Sequence, residues 1–229
     1  MKVPRLSKAS IAAAAALLTD HYESAVNTSV APPVPVEDLI ERGLNLRLGF
    51  HDLKSRLNLN DVLGATFVEK RLICADASLV ESKSKGRLFF TLAHEAGHWM
   101  LHRTHISRSA AGEAAHFCRV QDAKKPVEWQ ADYFASCLLM PEKFVCDAFQ
   151  RTFGCERLSL HNVHAAYCGP LCFDPCIGTW PRIAATVMEA GGFTNVSKQA
   201  MIIRLQDIGL VRNETQTRMS WDAPRMAAF

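Results

Sequence analysis

The sequence predicts an α+β fold: a small sheet beside one long functional helix, followed by a small helical C-terminal region. Three observations carry this. Short alternating or β-branched patterns at residues 44–50, 65–69 and 71–75 read as three strands. Helical periodicity takes over from Phe89 and again between Pro126 and Pro141. From residue 179 to 210 two more helices are joined by the turn sequence GGFTN. The 229 residues suit one domain with an appendage or two small ones. At 48% hydrophobic and 21% charged, the composition supports a sizeable core, and a net charge of +3 is too small to argue for nucleic acid.

The chain starts with basic residues and an alanine-rich run, MKVPRLSKASIAAAAALL. A secretory signal has that outline, but this run is short, mostly alanine, and followed by charged residues without a clear cleavage site. It reads better as a helix capped by Ser7 or Ser10, in a protein expected to stay in the cytoplasm. No stretch approaches the roughly 20 apolar residues of a membrane span. APPVP at 31–35 is a stiff connector into a helix at about 36–42. The three strands follow, and SKSKG is a polar turn before the long helix.

Phe89 to Arg103 reads FFTLAHEAGHWMLHR and contains His94-Glu95-Ala96-Gly97-His98, the pattern H-E-x-x-H. Two histidines four apart on a helix sit about 40° apart around its axis and about 6 Å along it, so both imidazoles can share one metal ion. Glu95 flanks them, placed as general base toward an activated water. Phe89, Ala93, Ala96 and Met100 form an apolar back, leaving a wet, metal-binding front. His102 lies about 12 Å along the axis from His94, too far to join a tetrahedral site. A third ligand must come from elsewhere. On the helix between Pro126 and Pro141, Glu128, Ala131, Asp132 and Ala135 share a face, and the alanines permit close approach. Spacing alone allows either carboxylate to be the ligand. Glu128, longer and nearer the helix start, is the expected third ligand, with Asp132 accepting the free ring N–H of a ligand histidine. Tyr133 and His102 are the candidates for an oxyanion donor. Residues 105–125 read as a polar linker carrying His116 and Cys118, and residues 142–151 as a short helix closing the core.

RLFFTLAHEAGHWMLH followed by EWQADYFASCLLMP resembles the ImmA/IrrE family of metallopeptidases, and the likeness extends to PPVPVEDLIERGLNLRL and VSKQAMIIRLQDIGL. The resemblance implies a zincin-like metallopeptidase domain at residues 1–152 and a helical region with a cysteine-containing insertion at 153–229. It implies Zn²⁺ held by His94, His98 and Glu128, and cleavage of a helix-turn-helix transcriptional repressor as partner and substrate. It also suggests a strand beside the active helix that pairs with substrate, for which the 65–75 hairpin is the candidate. A regulator that binds the repressor without cutting it is one alternative; a DNA-binding regulator using the C-terminal helices is another.

Eight cysteines are present. Cys168, Cys172 and Cys176 lie in a Gly- and Pro-rich stretch where, with Cys155, His161 or His164, they could form a second metal site, and otherwise remain free thiols or form disulfides. Cys137, mid-helix, is expected to be core. In the last helix Ser197 is the expected N-cap, Ala200, Ile203 and Leu205 the apolar positions, and Gly209 the stop. Lys198, Arg204 and Arg212 do not make a dense basic stripe, so direct nucleic-acid binding is not expected.

Overall fold

The computed structural model describes residues 3–82, 85–109, 115–119, 125–160 and 179–214. Its contacts group Met1–Leu139 and Met140–Phe229 into two compact units. The sequence places the boundary between the metallopeptidase domain and the helical region after residue 152.

In the first unit, helix α1 (Lys8–Val26) is capped by Ser7, whose hydroxyl accepts from the Ser10 backbone N–H. A cap of this kind contributes about 1 kcal/mol. The single turn α2 (Val36–Asp38) runs into a π-helical turn at Leu39–Gly43. Strand β1 (Arg47–His51), short helix α3 (Leu53–Leu57), strands β2 (Val62–Phe67) and β3 (Leu72–Asp76) and short helix α4 (Ala77–Glu81) follow. The long helix α5 (Lys85–Ser109), strand β4 (Ala115–Arg119) and helix α6 (Pro126–Leu139) complete the unit. All three expected strands are present. The 105–125 stretch is no simple linker: α5 continues into it, and β4 lies within it.

Among the described residues the sheet order is β1-β3-β2-β4, with β1 parallel to β3 and the other pairs antiparallel. The β2–β3 hairpin is therefore interior, flanked by a strand on each side. Substrate cannot add to it, and the sheet edges are β1 and β4. Helix α5 packs against the sheet and α6, and α1 packs against α6. Residues 91–99 are buried all the way round. The expected wet front is thus replaced by a helix enclosed on every side, with Phe89 and Met100 only half-buried.

The close α5–α6 approach depends on Gly97. A Cβ there would stand 3.2 Å from both the Cα and the carbonyl oxygen of Ala131 and 3.1 Å from the Phe134 ring. With Ala131 and Ala135 fully buried on the facing helix, the two backbones nearly touch.

The second unit contains α7 (Glu142–Phe153), β5 (Leu158–Leu160), α8 (Trp180–Gly191), α9 (Lys198–Asp207) and β6 (Val211–Asn213). Helix α8 packs on α7 and α9, while β5 and β6 pair in parallel. Ser197 caps α9 as expected, and Gly209 takes a left-handed φ of 77° just after it. The buried face of α9 is Met201, Ile202, Arg204 and Leu205, so only Leu205 of the expected apolar set is fully enclosed. Arg204 is neutralised there by donating to the Met140 carbonyl and pairing with Asp207. Cys137 is buried, as expected. Cys168, Cys172, Cys176, His161 and His164 lie outside the described residues, and no described helix is long and apolar enough to cross a membrane.

Candidate metal centre

Helical spacing brings His94 and His98 onto adjacent turns of α5, their Nε2 atoms 2.9 Å apart. The α5–α6 contact then sets Glu128, in the first turn of α6, against both. Glu128 Oε2 is 3.2 Å from His94 Nε2 and 3.5 Å from His98 Nε2. All three residues are buried, and they form the His/Cys/Asp/Glu cluster among the described residues suited to an ion. Neighbouring ligands about 2.0–2.1 Å from a tetrahedral ion are separated by roughly 3.3 Å. The three observed edges bracket that value.

The chemistry of the donors also fits a cation. Asp132 Oδ1 lies 2.8 Å from His94 Nδ1, which donates to it and leaves Nε2 free to bind. Asp132 is therefore one residue removed from the cluster, reaching it through the His94 ring from a half-exposed position. Burial opposes ionisation of Glu128, but the hydrogen bond from His116, together with the His94 and His98 rings that face its other oxygen, outweighs it and holds the carboxyl far below the usual carboxylate range. Burial keeps His98 neutral, with its pKa well below the ordinary imidazole value. An ionised carboxylate between neutral imidazoles is the state that ligates a metal.

Glu95 is fully buried beside the cluster. Burial pushes its carboxyl up to about 7, moderated by the nearby His94 and by a hydrogen bond from Thr66. The Thr66 hydroxyl lies 2.6 Å from Glu95 Oε2, and Oε1 has no hydrogen-bond partner among the described residues. A carboxyl of this kind, half ionised near neutrality, can both take and return a proton.

Four neighbours were not assigned these places by the sequence. His116, on β4, has Nε2 2.8 Å from Glu128 Oε1 and its ring 4.1 Å from that of His98. Thr66 comes from β2. His102 turns its Nδ1 to His98 Nδ1 at 3.1 Å, and Gln130 of α6 meets His102 Nε2 at 3.1 Å. As an oxyanion donor His102 is misplaced, because both of its ring nitrogens are engaged in that row. Tyr133, the other candidate, stacks on Trp129 with the Lys8 ammonium over its ring. Of these, the sequence singled out His102, for a different role, and named His116 as a linker residue; Thr66 and Gln130 carried no signal.

The peptidase family M78 model, described as an IrrE N-terminal-like domain, matches residues 47–167, just over half the chain. That span contains β1 through β4, α5 and α6, and with them His94, Glu95, His98, His116, Glu128 and Asp132. None of the curated proteins compared with the chain matches it.

Proposed function

Because the chain belongs to the M78 peptidase family, we propose that it is a zinc-dependent metalloendopeptidase whose site is the His94–His98–Glu128 cluster with Glu95. The observation that supports this most directly is the convergence of two imidazole nitrogens and an ionised carboxylate at tetrahedral edge distances, next to a buried carboxyl. His94, His98 and Glu128 would hold the ion. When bound, zinc supplies Lewis acidity, which acidifies water and polarises a peptide carbonyl.

The protein's own groups do the rest. Glu95 takes a proton from the attacking water and returns it to the leaving amine, with Thr66 fixing one carboxylate oxygen so that the other works. His116 ties the outer oxygen of Glu128, which leaves Oε2 directed at the histidines. Asp132 sets the ring of His94. Strand β4 carries His116 at a sheet edge, so it is the strand best placed to receive an extended substrate by backbone pairing.

A helix-turn-helix repressor is the proposed substrate, a reading supported by the ImmA/IrrE resemblance, and the cytoplasm the proposed setting. Free thiols at Cys74, Cys146 and Cys155 fit a reducing compartment. A DNA-binding role for the C-terminal helices has less support, since Arg204, one of the basic residues considered for it, is buried and bonded. The test is direct. Purified protein should contain one zinc and cleave such a repressor. Glu95→Gln should retain the zinc and lose about 10²–10⁴-fold in rate. Cleavage at an unchanged rate in zinc-loaded Glu95→Gln would refute the catalytic assignment, and cleavage insensitive to chelation would refute the metal.

A further inference from the structure

One peptide carbonyl dictates the hydrogen-bond directions around His98. Pro4 O can only accept, so the Gln130 side-chain nitrogen donates to it at 3.0 Å. That settles which end of the amide faces inward. Gln130 Oε1 then lies 3.1 Å from His102 Nε2, and because an amide oxygen only accepts, His102 carries its proton on Nε2. A neutral imidazole has a single N–H, so His102 Nδ1 is a bare lone pair. His98 Nδ1, 3.1 Å away, must be the donor to it. The remaining ring nitrogen of His98, Nε2, is left unprotonated and aimed at His94 and Glu128.

We propose that the Pro4 carbonyl, Gln130 and His102 form a tautomer relay that presents the Nε2 lone pair of His98 to the metal. His102 and Gln130 are positioning residues: neither touches the metal or the substrate. The opposite tautomer of His102 would place an N–H against an N–H at His98 and drive the His98 proton onto the ligating atom. All three side chains, His98, His102 and Gln130, are at most 1% exposed, so bulk water does not compete for these hydrogen bonds. The His102 ring is enclosed and its two hydrogen-bond partners are an imidazole and an amide, with no carboxylate to stabilise a second proton. His94 gets its orientation from a half-exposed carboxylate, whereas His98 gets it from a neutral row reaching from α5 through α6 to the segment before α1. The inference rests on the metal-site reading only for the identity of what the lone pair meets.

Two substitutions separate this role from mere filling of space. His102→Leu fills the volume but offers His98 no acceptor. His102→Gln offers an amide oxygen to His98 Nδ1–H and an amide N–H to Gln130 Oε1, rebuilding the row. Zinc affinity, read by competition with a chromophoric chelator, should fall about 10–100-fold in His102→Leu and stay close to wild type in His102→Gln. The relay is overturned if His102→Leu binds zinc like wild type, or if His102→Gln is as weak as His102→Leu. Nitrogen NMR of the wild-type chain, with and without zinc, provides a readout independent of folding defects in a variant. It should show a through-hydrogen-bond coupling between the two Nδ1 atoms with the proton on His98; a proton on His102 Nδ1 overturns the relay. If wild type binds no zinc, the metal reading fails while the coupling still decides the relay.

Discussion

Gly64 leaves the space that the Glu95 carboxylate occupies: a Cβ on Gly64 would stand 2.5 Å from Glu95 Oε1 and 2.9 Å from its Cγ. The obstacle is a fully enclosed side chain, with Thr91 Cγ2 equally close at 2.9 Å, so neither neighbour can step aside freely. Gly64→Ala should displace Glu95 and lower the cleavage rate by at least about tenfold, within the range that general-base catalysis contributes. Zinc content should be unchanged, because the ligands sit on other contacts. A rate assay on metal-verified protein checks both.

Thr66→Val keeps the shape of β2 but removes the donor that lowers the Glu95 pKa. Glu95 must be ionised to accept a proton, and losing a stabilising hydrogen bond raises its pKa. The acidic limb of the pH–rate profile should therefore move to higher pH, by about one to two units for a hydrogen bond to a charged group. An unmoved limb in kcat/KM would show that Thr66 does not govern the base.

Glu128 and Asp132 should separate cleanly in a metal titration. Glu128 supplies the carboxylate atom nearest both histidine Nε2 atoms, so Glu128→Ala should give protein that loses zinc on dialysis. Asp132 reaches only the far side of the His94 ring, and Asp132→Asn should keep zinc but bind it about 10–100-fold more weakly. Reversed outcomes would exchange the two roles.

The metal-free protein should lose stability in mild acid. Burial depresses the His102 pKa from 6.5 to about 4, so between those values the unfolded chain binds the proton and the folded chain does not. The contribution is fully present above pH 6.5 and is lost as pH falls toward about 4, amounting to up to about 3 kcal/mol. Denaturant midpoints measured across that window should fall with pH in wild type and fall less steeply in His102→Gln.

What sequence reasoning reached here depended on periodicity. His94, Glu95 and His98 sit within one helical turn of one another, and Glu128 and Asp132 share a face of a second helix, so helix geometry alone brings each set together. Strand order had no such signal. That β1 lies parallel beside β3, and that β4 closes the other edge, depends on long-range pairing. Thr66 and His116 enter the site through that pairing, which is why one looked like an ordinary strand residue and the other like a linker histidine. Its distance along α5 sets His102 apart from the expected ligands, and it turns instead to His98 and Gln130. Its actual use could not be seen without knowing that Gln130 faces it. The extent of burial around α5 was also hidden, because β-strands and α6 cover a face that the spacing alone would leave to solvent.

The acceptor at Pro4 is a backbone atom, and this sets what kind of change the N-terminal segment tolerates. Residue replacement at position 4 keeps a carbonyl in the chain, so alanine scanning there should pass silently. Deleting a single residue between Pro4 and Ser7 would instead shift the register against the fixed start of α1 and withdraw the carbonyl from Gln130. The segment would thus be permissive in spelling and strict in length, a constraint that a profile of residue preferences does not record.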